Sequence, residues 1–156
     1  MTAIALRAAS PADDEFCFRL HKAAMGDVIT AIWGWDDQEQ RDFHDQVFKP
    51  DRWRIITADG ADIGMLDVEY RPGEIYLARI EIHPDHQGRG FGTRLISALI
   101  EEARQRGQSF TLDVLAPNQR AQALYRRLGL QEVARHGDNN IKIAMRYSLP
   151  PPAGPG

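Results

Sequence analysis

Gln87-Gly88-Arg89-Gly90-Phe91-Gly92-Thr93 lies between an apolar, strand-like run ending at Ile82 and an amphipathic, helix-like run opening near Arg94. Three glycines at alternate positions let the backbone bend and approach a ligand, since no Cβ blocks the way and positive φ costs little. The amides of residues 88 to 93 can then point at an anion, and the following helix adds the positive end of its dipole. The stretch therefore reads as a pyrophosphate cradle between a strand and a helix.

Two common phosphate-binding templates fail on this stretch. A P-loop needs Gly-Lys-Ser/Thr at its end, and no lysine precedes Thr93. The dinucleotide fingerprint Gly-x-Gly-x-x-Gly needs glycine at 93 or 95, where Thr93 and Leu95 stand. What remains is Gln-x-x-Gly-x-Gly, which resembles the acyl-CoA pyrophosphate loop of the GNAT superfamily of N-acyltransferases. Ile80-Glu81-Ile82-His83-Pro84 precedes it as the family's central strand and closing proline would. Downstream, Asn118, Ala121, Leu124, Tyr125 and Gly129-Leu130 resemble the family's Asn-x-x-Ala-x-x-Leu-Tyr-x-x-x-Gly-Phe element, with Leu130 as a conservative departure. The two motifs span residues 76 to 130 in the family's order, and their pairing is far more specific than either alone.

The rest of the chain fits an α+β fold. Ile4 to Arg7 reads as a short strand, and Ser10-Pro11-Ala12-Asp13 starts a helix that is expected to run to about Met25. Ile32-Trp33-Gly34-Trp35 is expected to connect it to a second helix, capped by Asp36 or Asp37 and stopped before Pro50. Arg54 to Thr57 and Ile63 to Tyr70 read as strands joined by an Asp59-Gly60 turn, and Ile75 to Ile82 follows as a third. Phe91, Leu95, Leu99 and Ala103 recur at four-residue spacing after the cradle, and Gly107 supplies a stop. Phe110 to Leu115 returns as a strand parallel to the third, by the crossover rule. Strands near 131 to 136 and 141 to 147 complete a mixed, mostly antiparallel sheet. The resemblance implies the same fold, with helices on both faces and splayed parallel central strands. One domain is expected over residues 1–149, with the Pro/Gly-rich segment 150–156 as a disordered tail.

Composition sets outer bounds. At 156 residues the chain suits one core, and 43% hydrophobic with 26% charged residues argues against disorder. A net charge of −3 gives no support to wholesale nucleic-acid or membrane binding. The single Cys17 has no disulfide partner, so a reducing, cytoplasmic setting is expected, and neither a membrane-spanning run nor a signal peptide is read in the chain. His83 and His86 stand three apart, but metal sites gather three or four ligands and no other Cys or His lies near; no metal is expected.

The resemblance implies transfer of an acetyl group from acetyl-CoA, as co-substrate, to an amine. It implies that Gln87, Gly88, Arg89, Gly90, Phe91, Gly92 and Thr93 hold the pyrophosphate and that the backbone of Ile80 to Ile82 holds the pantetheine. Tyr125 resembles the tyrosine that protonates the departing sulfur, a task suited to a phenol of pKa ~10; taken alone it reads equally as a core aromatic beside Leu124 and Leu128. Asn118 caps its helix, touches the cofactor, or does both. For the general base Glu81 is the first candidate, with Asp113 on the neighbouring strand and Glu69 as alternatives, and the plain reading of each carboxylate is a solvated strand face. Trp33 and Trp35, followed by Asp36, Asp37 and Glu39, fall where the family covers the acceptor; they suit a cationic amine or simple core packing. Asp113 also counts among the acceptor-side residues. A homodimer is the family's common tendency. The alternative function is a non-catalytic acyl-CoA-binding sensor or partner-binding module.

Overall fold

The computed structural model describes residues 2–148. Among these residues seven strands and four α-helices follow one another: β1 (Ile4–Ala8), α1 (Asp14–Trp33), α2 (Asp37–Val47), β2 (Arg54–Ala58), β3 (Ala61–Arg71), β4 (Glu74–Ile82), α3 (Phe91–Gln105), β5 (Ser109–Leu115), α4 (Gln119–Arg127), β6 (Gln131–His136) and β7 (Lys142–Tyr147). The strands hydrogen-bond in the order β1-β2-β3-β4-β5-β7-β6. The pairs β1/β2, β2/β3, β5/β7 and β6/β7 are antiparallel, whereas β4 and β5 run parallel. A parallel pair needs a crossover, and α3 supplies it. The parallel register joins Glu74–Leu77 to Ser109–Leu112, and β4 continues beyond it to Ile82. The expected mixed, mostly antiparallel sheet is the observed one.

The described residues pack as two compact units, 2–68 with Ala78–Gly92, and Glu69–Leu77 with 93–148. In the first, Cys17 and Leu20 of α1 pack with Trp53, Ile55 of β2 and Met65 of β3, and Phe16, Val47 and Phe48 close around them. Asp67 is buried in the same unit. Its carboxylate accepts hydrogen bonds from Arg52 Nε at 2.6 Å, Arg52 Nη2 at 2.7 Å and Trp53 Nε1 at 3.0 Å, which satisfies a charge that would otherwise be costly to bury. In the second unit, α3 buries Ile96, Leu99, Ile100 and Ala103, a single stripe by helical spacing, and β5 buries alternate residues Phe110, Leu112 and Val114. α4 begins where Asn118 Oδ1 accepts from the Ala121 amide at 3.3 Å.

One helix differs from the sequence expectation. α1 does not end near Met25 but passes through Gly26 and continues to Trp33. A mid-helix glycine costs only about 1 kcal/mol against alanine, and the buried face resumes beyond it at Ile29. The helix stops at Gly34, whose φ of 76° suits glycine, so Ile32 and Trp33 are helical rather than connecting residues. Asp36 then caps α2 through Oδ1, which accepts from the Glu39 amide at 2.8 Å. No helix among the described residues is long and apolar enough to cross a membrane. The 150–156 tail lies outside the described residues.

Candidate active site

The first unit carries both the glycine loop and Glu81. β4 ends at Ile82, a short 3-10 turn follows over Pro84–His86, and α3 opens at Phe91. Gln87 Nε2 donates to the Ile82 carbonyl at 2.8 Å and ties the loop back to the strand end. Gly88 and Gly90 have φ of 77° and 82°, a conformation other residues adopt only under strain. Phe91 is buried and anchors the helix start, while Gly88, Arg89 and Gly90 are exposed. The loop thus presents backbone beside the first amides of α3, which have no partner within the helix. A Cβ on Gly90 would meet no atom within 4 Å, so the residue serves conformation rather than space inside the protein.

Glu81 is not on a solvated strand face; it is 5% exposed. Its Oε2 lies 2.7 Å from His21 Nδ1 of α1, and both side chains are buried. Its Oε1 has no hydrogen-bond partner among the described residues. Burial pushes the carboxyl up, but the hydrogen bond from His21 and the charge of Arg79 outweigh it and hold the group below its ordinary value of 4.5. Glu81 therefore stays an anion at neutral pH with one oxygen committed. Opposite it on β3 stands Gly64, where a Cβ would lie 2.4 Å from the Glu81 carbonyl oxygen. The missing side chain is what lets β3 approach β4 here.

The structure separates the two tryptophans. Trp35 is half-buried, with its ring 6.0 Å from that of His21 and 6.5 Å from that of Phe18, and its Nε1 donates to Asp37 at 3.2 Å. Lys22 Nζ reaches Asp37 at 2.8 Å and sits 5.8 Å from the Trp35 ring. Trp33, at the end of α1, is 61% exposed. Sequence reasoning missed His21 and Gln40, whose Oε1 lies 3.4 Å from His21 Nε2. The available signal was a histidine directly after Leu20 and three residues from Phe18, on the buried face of α1.

Thr93, Asp113, Asn118 and Tyr125 belong to the second unit. Asp113 has both oxygens engaged: Oδ2 accepts from Tyr76 Oη at 2.7 Å and Oδ1 lies 2.6 Å from His136 Nε2. Burial and the Asp113 hydrogen bond raise the Tyr76 phenol, and the Arg71 guanidinium stacks 3.8 Å from its ring centre. Glu69 is ion-paired to Arg71 at 3.3 Å. Of the three carboxylates weighed from sequence, Glu81 alone combines full burial with an unpartnered oxygen. Tyr125 is 8% exposed, and burial pushes its phenol up to about 12. It keeps its proton at neutral pH and has one to give.

Comparison with known proteins gives concordant matches. The family model described as Acetyltransferase (GNAT) family matches residues 15–130. A thialysine N-epsilon-acetyltransferase of Mus musculus is 36% identical over 90 residues, covering 51% of this chain and 53% of that protein. A ribosomal protein bS18-alanine N-acetyltransferase of Salmonella typhimurium is 37% identical over 78 residues, covering 49% and 53%. The matched stretch thus spans about half the length of these curated relatives. Among solved structures, the PaiA N-acetyltransferase of Thermoplasma acidophilum in complex with coenzyme A superimposes with a TM-score of 0.76 at 14% identity, covering 94% of this chain and 99% of that one.

Proposed function

This chain belongs to the acetyltransferase (GNAT) family, and on that premise we propose that it is an acetyl-CoA-dependent N-acetyltransferase acting on a primary amine of a small molecule or peptide. The observation that carries the reading is the Oε1 of Glu81, a buried anionic oxygen without a partner at the end of the strand that leads into the glycine loop. Leaving a buried acceptor unpaired costs about 1–3 kcal/mol, and more for a charged one. Buried, perturbed carboxylates of this kind cluster at functional sites.

The roles follow from each residue's chemistry. Gln87 to Thr93 hold the pyrophosphate, the glycines by their backbone and Arg89 by a guanidinium that matches phosphate geometry. The backbone of Ile80 and Ile82 holds the pantetheine arm, and Asn118 supports the same ligand from the start of α4. Bound acetyl-CoA supplies an activated acyl group and a thiol leaving group. An amide near Ile82 stabilises charge on the carbonyl oxygen, a contribution of about 3 kcal/mol. Glu81 takes a proton from the incoming ammonium, and Tyr125 gives one to the departing sulfur. Trp33 and Trp35 meet the acceptor. Direct attack in a ternary complex is favoured by the state of Cys17: the chain's one cysteine is buried, and burial pushes its thiol up to about 12, so no thiolate is ready to carry the acetyl group. One relative is named for thialysine and another for an alanine of a ribosomal protein, acceptors of very different size. That breadth is why the class of the acceptor is proposed and no single compound.

The test is thiol release from acetyl-CoA across spermidine, L-lysine and an alanine-leading peptide, with wild type and Tyr125→Phe. The substitution is expected to lower kcat by roughly 10²-fold, within the usual range for a general acid, while acetyl-CoA binds as before. Tight binding of acetyl-CoA with no amine accelerating thiol release would favour a non-catalytic acyl-CoA-binding module. An unchanged single-turnover rate in Tyr125→Phe would remove the acid role.

A further inference from the structure

Glu81 is held by a group sixty residues away in sequence, and that group is itself titratable. We propose that His21 is the positioning residue of Glu81: its Nδ1–H fixes Oε2 so that Oε1 faces the acceptor amine, and its own protonation sets how strongly Oε1 takes a proton. The proposal rests on the reading of Glu81 as the base.

The geometry leaves the imidazole little freedom. Nδ1 lies 2.7 Å from Glu81 Oε2, Nε2 lies 3.4 Å from Gln40 Oε1 of α2, and the ring packs against Trp35. An anionic carboxylate only accepts, so Nδ1 carries a hydrogen in either charge state of the ring. The variable proton is then the one on Nε2, and Gln40 can serve both forms: its oxygen accepts from an imidazolium, and its amide, turned over, donates to a neutral ring. The neighbours that act on the pair are Arg79 from β4, His44 from α2 and the neutral thiol of Cys17 from α1. His44 is itself bound to Asp14, through Nε2 at 2.8 Å.

Two states of the pair follow. With His21 neutral, the pair carries one negative charge, and Oε1 is a competent base. The N–H bond of the substrate ammonium breaks, an O–H bond forms on Oε1, and a neutral amine and a neutral carboxylic acid result, with Nδ1–H still on Oε2. With His21 protonated, the pair is an internal ion pair of zero net charge, and Oε1 has much less pull on a proton. The acid-side loss of activity is then a property of the pair and not of Glu81 alone.

His21→Ala is expected to lower kcat about tenfold or more, a part of the 10²–10⁴ typical of a general base, with acetyl-CoA affinity unchanged. His21→Asn returns an N–H donor near the Nδ1 position without a titrating ring. It should recover most of kcat, and its pH–rate profile should lack one ionisation on the acid side. Independently, the ¹⁵N chemical shift of His21 Nδ1 should change in Glu81→Gln relative to wild type, because the anionic acceptor of its N–H is gone. The proposal is overturned if His21→Ala keeps the wild-type kcat and pH profile, or if the His21 Nδ1 chemical shift is the same in Glu81→Gln. Should none of spermidine, L-lysine or the alanine-leading peptide be acetylated by wild type, the catalytic reading of Glu81 falls and takes the role of His21 with it. The resonances then still report whether Nδ1–H is held by Oε2, so the two failures are told apart.

Discussion

Glu81→Gln is expected to lower kcat by roughly 10²–10⁴-fold with acetyl-CoA affinity close to wild type, because a neutral amide keeps the volume and loses the basic lone pair. Stability at neutral pH should change little. The anion accepts a short bond from His21, which a neutral amide accepts less strongly, and it leaves one buried oxygen unpartnered, which the amide bears at less cost, so the two effects offset to within about 1 kcal/mol. The sign of the pH effect follows from the carboxyl being held below its ordinary value of 4.5. A depressed folded value contributes stability that is fully present above the unfolded value and is lost as pH falls through the folded one. The variant should therefore lose part of the acid sensitivity of unfolding below pH about 4.5, the ordinary value for such a group. Thiol-release kinetics and denaturant midpoints at pH 3 to 7 check both halves. A variant that loses stability and activity in parallel would mark Glu81 as a packing residue.

Gly64→Ala is the second large effect expected, and it acts through space rather than chemistry. The added Cβ would stand 2.4 Å from the Glu81 carbonyl oxygen, 3.2 Å from Ile56 Cδ1 and 3.3 Å from Ile82 Cα. Two of those three atoms are backbone of β4, so relief requires β3 and β4 to separate at the strand end that leads into the glycine loop. Overpacking of this kind costs about 1–3 kcal/mol, and the displaced strand should also lower kcat, since an ångström of misplacement costs about 10²-fold. Gly64→Val should be worse on both counts. Gly26→Ala provides the control: a Cβ there meets nothing within 4 Å inside α1, and the change should raise stability by about 0.5–1 kcal/mol. Urea midpoints and single-turnover rates on the three variants decide it. A Gly64→Ala protein as stable and active as wild type would show that β3 does not press on β4 here.

The identity of the fold was legible at the glycine loop and the Asn118–Leu130 element because both depend on local chemistry. A residue that must adopt positive φ, as Gly88 and Gly90 do, or cap a helix, as Asn118 does, shows that need within a few positions of itself. The α3 stripe and the β5 alternation are local in the same sense. The end of α1 was misplaced because Gly26 looks like a stop, whereas the helix is carried past it by burial at Ile29, which is a tertiary term.

The candidate site divides along the same line. Sequence by itself determined the glycine loop, the tyrosine proposed as acid and a short set of candidate carboxylates, because each rests on residue type and near-neighbour spacing. Only the tertiary structure told the surroundings of the carboxylates apart. Asp113 is occupied by Tyr76 and His136, 37 and 23 residues away, and Glu81 is gripped by His21 at a separation of 60, with one oxygen left over. Whether a carboxylate is solvated, saturated or poised is set by which groups the fold brings within about 3 Å of it and how much water it excludes, and neither quantity is written in the neighbouring residues of the chain.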